Sequence, residues 1–167
     1  LFFYEGTLWL KRSFDYKKKE DRRTLLYFGA VNYEAHVYVN GTLAGHHIGG
    51  FTPFNFDITD LLVDGSNFVI LKVDNKRHAE AVPTQIFDWW NYGGITRDVM
   101  LVDVAPTYIE NYMCYLLPAQ KGKKREIHFS VKLNKAEAGK TVTLAIPELK
   151  INQSLTTDQE GKAELTV

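Results

Sequence analysis

The chain has 167 residues, of which 45% are hydrophobic, enough for one globular domain and part of a second. Twenty basic residues balance twenty acidic ones, so there is no basic face for neutralising phosphates, and a nucleic-acid partner is set aside. No apolar run reaches the length of a membrane span, and a single cysteine, Cys114, excludes an intrachain disulfide.

The pattern along the chain is one of strands. Residues 8–14 read as a strand, residues 17–23 as a charged loop and residues 24–28 as a short buried strand. Residues 29–33 read as a turn. Residues 35–39 and 42–46 flank Asn40-Gly41, a pair that supplies the positive φ angles of a type I′ turn, and so predict a hairpin. Within it, Val37 and Val39 share one face, with His36 and Tyr38 on the other. Two glycines and a proline make residues 49–57 an irregular connection. Residues 58–62 suggest one helical turn, with Thr59 or Asp57 as N-cap, and residues 68–74 a core strand. Residues 76–94 lack strand periodicity, and loops of that length in a compact domain are usually functional. A strand returns over residues 98–104, and Pro106 marks a boundary.

Beyond Pro106 the alternation restarts over residues 108–117, 125–133, 141–146 and 163–167. Cys114 sits in an apolar stretch and is expected to be buried. The fold class is therefore all-β: a jelly-roll β-sandwich over residues 1–105, followed by an immunoglobulin-like β-sandwich over residues 106–167. About 60 residues fall short of the roughly 100 that such a sandwich takes, so the second unit is expected to be cut off. With neither an initiator Met nor a signal peptide, the chain is expected to start partway into a longer product, which leaves its compartment open.

Glycoside hydrolysis needs two carboxylates about 5 to 9 Å apart. The acids here read as solvated (Glu20, Asp21), isolated (Glu34, Glu80) or turn and cap residues (Asp57, Asp60, Asp64). No catalytic residue is expected in this chain, and no cofactor. His46 and His47 are adjacent on a strand and point to opposite faces, so they form no metal site. The long loop differs. Residues 86–98 bring together Asp88, Trp89, Trp90, Asn91, Tyr92 and Arg97, a set suited to sugars: carboxylates and amides bond hydroxyls, and aromatic faces cover the apolar side of the ring. The same residues also suit packing at a sandwich end, and residue type alone leaves both readings open.

Four runs in order, residues 4–14, 31–41, 49–59 and 91–99, resemble the N-terminal sugar-binding domain of glycoside hydrolase family 2, which includes β-galactosidases, β-glucuronidases and β-mannosidases. The likeness covers residues 4–105, and residues 106–167 resemble, more weakly, the start of the family's immunoglobulin-like domain. The resemblance implies a non-catalytic part of a retaining hydrolase, with both catalytic glutamates in a TIM barrel downstream on the same polypeptide and a β-glycoside or oligosaccharide as substrate. It implies that Asp88 contacts hydroxyls of the sugar, with Trp89, Trp90 and Asn91 beside it and Tyr92 and Arg97 supporting the loop. The pattern around Asp88 is closer to the glucuronidase form than to the large galactosidases, and it departs from those that hold sodium there, so no sodium site is expected. Members of the family often assemble as dimers or tetramers. A stand-alone carbohydrate-binding module and a purely structural pair of sandwiches are the alternatives.

Overall fold

The computed structural model describes residues 4–82, 84–86, 91–119 and 125–167. The regular structure of the described residues is almost all strand; the helical pieces among them are two 3-10 turns, Thr59–Leu61 and Pro147–Leu149. By internal contact the chain divides into two compact units, Leu1–Ala105 and Pro106–Val167.

The first unit runs through β1 (Thr7–Tyr16), β2 (Arg23–Phe28), β3 (Val31–Asn32), β4 (Glu34–Val39), β5 (Thr42–Ile48), β6 (Phe54–Asp57), β7 (Gly65–Asp74), β8 (Gly94–Ile95) and β9 (Val99–Val104). These form a four-stranded sheet, β1-β7-β4-β5, and a three-stranded sheet, β6-β2-β9, with β3 and β8 as a separate short pair. The pairings are antiparallel, and the inner faces meet in one core of which Leu26, Phe28, Val37, Val39, Phe54 and Leu71 are part. Strand alternation does the sorting: in β4, Ala35, Val37 and Val39 are buried, while Glu34, His36 and Tyr38 face outward. The Asn40-Gly41 turn has φ of 50° and 86°, the left-handed pair that a two-residue hairpin requires. The Asn40 side chain ties the turn down, accepting from the Phe68 N–H (3.0 Å) and donating to the Leu61 carbonyl (2.9 Å).

Three local readings are corrected. The supposed turn at residues 29–33 contains β3, which pairs with β8 (Val31 opposite Ile95, Asn32 opposite Gly94); a partner more than sixty residues away leaves no local signal. Residues 49–57 include a true strand, β6, because Phe54 and Phe56 find the β2 edge at Phe28 and Leu26. At the 3-10 turn the N-cap position is Ile58, with no side-chain cap bond; Asp57 instead accepts from the Thr59 N–H (3.1 Å) and hydroxyl (2.6 Å).

The second unit has a sheet of β10 (Ile109–Leu116), β11 (Ile127–Leu133) and β14 (Lys162–Thr166), and a pair of β12 (Thr141–Ile146) with β13 (Ile151–Thr156). Phe129, Val131, Leu133, Val142, Leu144 and Leu155 pack in its core. The sequence reading missed β13. Cys114 is exposed rather than buried: β10 lies at the sheet edge, paired with β11, and all eight of its residues are exposed.

Candidate functional site

The loop over residues 76–94 leaves the sandwich after β7 and returns at β8, and both of its ends are fastened by side chains. At the start, Asp74 accepts from the Lys76 N–H (2.9 Å) and the Thr7 hydroxyl (3.0 Å). Burial works against ionisation of the Asp74 carboxyl, but these bonds outweigh it and hold its pKa below the ordinary carboxylate value. Arg77 then pairs with Glu5 at 3.0 Å, and Ala81 is buried, its N–H closing a turn onto the His78 carbonyl.

At the return, three asparagines interlock. Asn75 is buried; it accepts from the Gly6 N–H (2.8 Å) and donates to the Tyr4 carbonyl (2.7 Å), which joins the entry to β1 with the exit of β7. Asn91 donates to the Asn75 carbonyl at 3.0 Å. Asn32, also buried, donates to the Asn91 side-chain oxygen (2.6 Å) and to the Tyr92 carbonyl (2.8 Å). Side chains carry these links because the chain is irregular here and its backbone groups have no ladder to join. The fit is close: a Cβ on Gly93 would lie 2.6 Å from the Asn75 amide nitrogen, and one on Gly50 would overlap the Asn32 side chain. The Asn32 Oδ1 is buried without a partner.

Of the residues singled out from sequence, Asn91 is thus a structural link whose amide is turned to the sandwich. Tyr92 contributes its carbonyl to that link while its ring stays exposed. Arg97 donates to the Phe51 carbonyl at 3.5 Å, bracing the residue-51 connection. Asp88, Trp89 and Trp90 lie outside the described residues. Asn32 and Asn75, the two anchors, escaped the sequence reading; the one trace they leave is that each stands beside a predicted turn or strand end. His46 and His47 do face opposite ways, His46 stacking on His36 (5.7 Å between ring centres) outside the sheet and His47 on Phe54 (4.1 Å) inside.

Several acids are already engaged: Asp57 and Asp60 with Arg23, Asp103 with Lys19, Thr24 and Tyr16, and Glu110 with Lys132. Among the described residues no three His, Cys, Asp or Glu side chains converge as metal ligands. The arrangement fastens the described residues at both feet of the loop to the sandwich.

Residues 3–105 match the family model described as "Glycosyl hydrolases family 2, sugar binding domain". A putative beta-glucuronidase of Formosa agariphila is 39% identical over 102 residues, which is 60% of this chain and 12% of that protein. A beta-galactosidase of Thermoanaerobacter pseudethanolicus is 33% identical over 112 residues, 65% of this chain and 15% of that protein. The structure of Bifidobacterium dentium beta-glucuronidase, in complex with coumarin-3-O-glucuronide, superposes with a TM-score of 0.78 at 22% identity, covering 98% of this chain and 33% of that one, a likeness of fold. The match therefore spans only 12% and 15% of the two curated relatives' length.

Proposed function

The chain belongs to glycosyl hydrolase family 2, and on that premise we propose that it is a non-catalytic part of a retaining hydrolase of β-glucuronides or β-galactosides, lending the loop around Asp88 to a sugar site completed by a TIM barrel on the same polypeptide. The observation that carries this reading is the pinned loop. Five hydrogen bonds involving the side chains of Asn32, Asn75, Asn91 and Asp74 fasten Lys76, Asn91 and Tyr92, at the two feet of residues 76–94, within a region matching the sugar-binding domain. A site that orients a sugar needs a carboxylate carried by a loop whose ends are fixed to rigid elements, and the two feet are fixed in this way. One carboxylate orients hydroxyls but cannot act as both acid and nucleophile, so the bond-breaking pair belongs elsewhere on the polypeptide. The segment over residues 106–167 is, on this reading, the start of an immunoglobulin-like domain that follows the sugar-binding one.

The experiment is Asp88→Ala in the full-length gene product, assayed on p-nitrophenyl β-glucuronide and β-galactoside. Loss of a charged hydrogen bond to bound sugar costs about 1.5–3 kcal/mol, so kcat/KM falls by roughly 10- to 150-fold with the melting temperature unchanged. Unchanged kinetics overturns the role of Asp88. Calorimetry of residues 1–167 with glucuronic acid and galactose at millimolar concentration separates the alternative: saturable binding abolished by Asp88→Ala identifies a self-sufficient binding module.

A further inference from the structure

Asn40-Gly41, the turn between β4 and β5, is the one asparagine–glycine pair in residues 1–167. Such a pair deamidates readily, because glycine has no side chain to shield its backbone amide. The glycine nitrogen attacks the asparagine Cγ, a C–N bond forms, and Nδ2 leaves as ammonia. Water then opens the succinimide at either carbonyl, so that asparagine and water give ammonia and either aspartate or isoaspartate. Gly41 is exposed, and nothing lies within 4 Å of where its Cβ would stand, so no neighbour keeps water from the turn.

The Asn40 side chain, in contrast, is held away from that nitrogen. Its Nδ2 donates to the Leu61 carbonyl (2.9 Å) and to the Asn67 Oδ1 (2.7 Å), and its Oδ1 accepts from the Phe68 N–H (3.0 Å). The Asn40 N–H donates to the Phe68 carbonyl at 2.9 Å. For Cγ to meet the Gly41 nitrogen, the amide must swing back along its own backbone and give up all three side-chain bonds. Those partners lie on the 3-10 turn and on β7, so the side chain is released only when the hairpin parts from both.

Neither product fits the place the amide leaves. An aspartate at 40 has no N–H to offer, and sets a carboxylate oxygen against two acceptors, the Leu61 carbonyl and the Asn67 Oδ1. Asn67 cannot turn to supply the missing donor. It is buried, its Nδ2 already donates to the Val63 (2.8 Å) and Gly65 (2.9 Å) carbonyls, and its Oδ1 also accepts from the Val63 N–H (2.9 Å). Acceptors left facing a charge in a half-buried site are costly. Isoaspartate adds a methylene to the main chain, which lengthens a two-residue turn whose geometry fixes the register of both strands.

We propose that Asn40 is a deamidation site gated by folding: protected while its amide bridges Leu61, Asn67 and Phe68, reactive when the hairpin opens, and unable to rejoin those partners once converted. The folded protein then reacts only through its open fraction, as proteolysis does when opening is fast. Each reacted opening is irreversible, so the lifetime of the first unit is set by chemistry at this turn as well as by its equilibrium stability. The inference is independent of any role for the Asp88 loop, since every group in it lies in residues 40–68 of the first unit.

Peptide mapping of the full-length gene product tests it, after incubation at mildly alkaline pH either folded or in guanidinium chloride. Conversion of Asn40 is expected to be at least about tenfold slower in the folded protein. Equal rates overturn the proposal. In sub-denaturing urea, conversion is expected to accelerate in proportion to hydrogen exchange at the Asn40 and Phe68 amides. A conversion rate that stays constant while exchange quickens places the attack inside the folded turn, and also overturns the gate. Asn40→Asp reproduces one product directly. It is expected either to exchange those two amides at least about tenfold faster than the natural protein or to leave the first unit unfolded. Exchange equal to that of the natural protein overturns the claim that the converted chain is locked out.

Discussion

Gly93 shows how little room the loop's return allows. Its place against the buried Asn75 admits no side chain, because Asn75 is held on both of its polar atoms and cannot swing aside. Gly93→Ala is therefore expected to destabilise the first unit by about 1–3 kcal/mol, the usual cost of overpacking, measured by urea unfolding of residues 1–167. Gly41→Ala differs in cause: nothing lies within 4 Å, but φ of 86° strains any side chain, so a loss of about 1 kcal/mol is expected from backbone conformation alone. Asn32 donates to Asn91 and to the Tyr92 carbonyl, so Asn32→Ala is expected to act on the loop's position. On the proposed function, initial rates of the full-length gene product across pH are expected to show a lower kcat/KM with the pH profile unchanged in shape.

Between elements, the β5–β6 seam carries a pH dependence. Burial of the His47 ring against Phe54 pushes its pKa below the ordinary imidazole value, and neighbouring His46 adds to this, while the bond with the Gly49 backbone works the other way. The folded state thus resists protonation. The stability His47 contributes is full above about pH 6.5 and is lost as pH falls through its depressed folded value. Asp57, Asp74 and Asp103 also have depressed pKa values, and their contribution is lost only in the more acidic range below about pH 4. Denaturant midpoints of the natural chain are expected to drop between pH 7 and pH 5, and His47→Phe is expected to flatten that interval while leaving the steeper acid limb intact.

Across the whole molecule, each unit holds its own core, and all three tryptophans (Trp9, Trp89 and Trp90) fall in residues 1–105. Tryptophan fluorescence therefore reports the first unit, whereas far-ultraviolet circular dichroism reports both. Phe129→Ala removes a buried ring from the second core and is expected to cost that unit about 3–5 kcal/mol. The circular dichroism transition should then move to lower denaturant while the fluorescence transition stays in place; a joint shift would mean that the two units unfold as one. Family membership belongs to this scale as well, since the match runs across the first sandwich and not through any single motif.

What the amino-acid order by itself determined is what depends on neighbours a few residues apart. Alternation marked β4 and β11, an apolar run marked β7, and Asn40-Gly41 marked its hairpin, because side-chain pattern and turn dihedrals are local properties. The four motif runs pointed to the family, because each keeps a local pattern in a fixed order. Tertiary structure decided what depends on distant partners. β3 exists only because β8 lies beside it, and Cys114 is exposed only because β10 stands at an edge. Asn32 and Asn75 become anchors only once segments 16 to 71 residues apart in the chain converge on them. The exposure of Leu10 and Leu101 is of the same kind: both read as ordinary core residues in sequence, and only the end of each sheet leaves them uncovered.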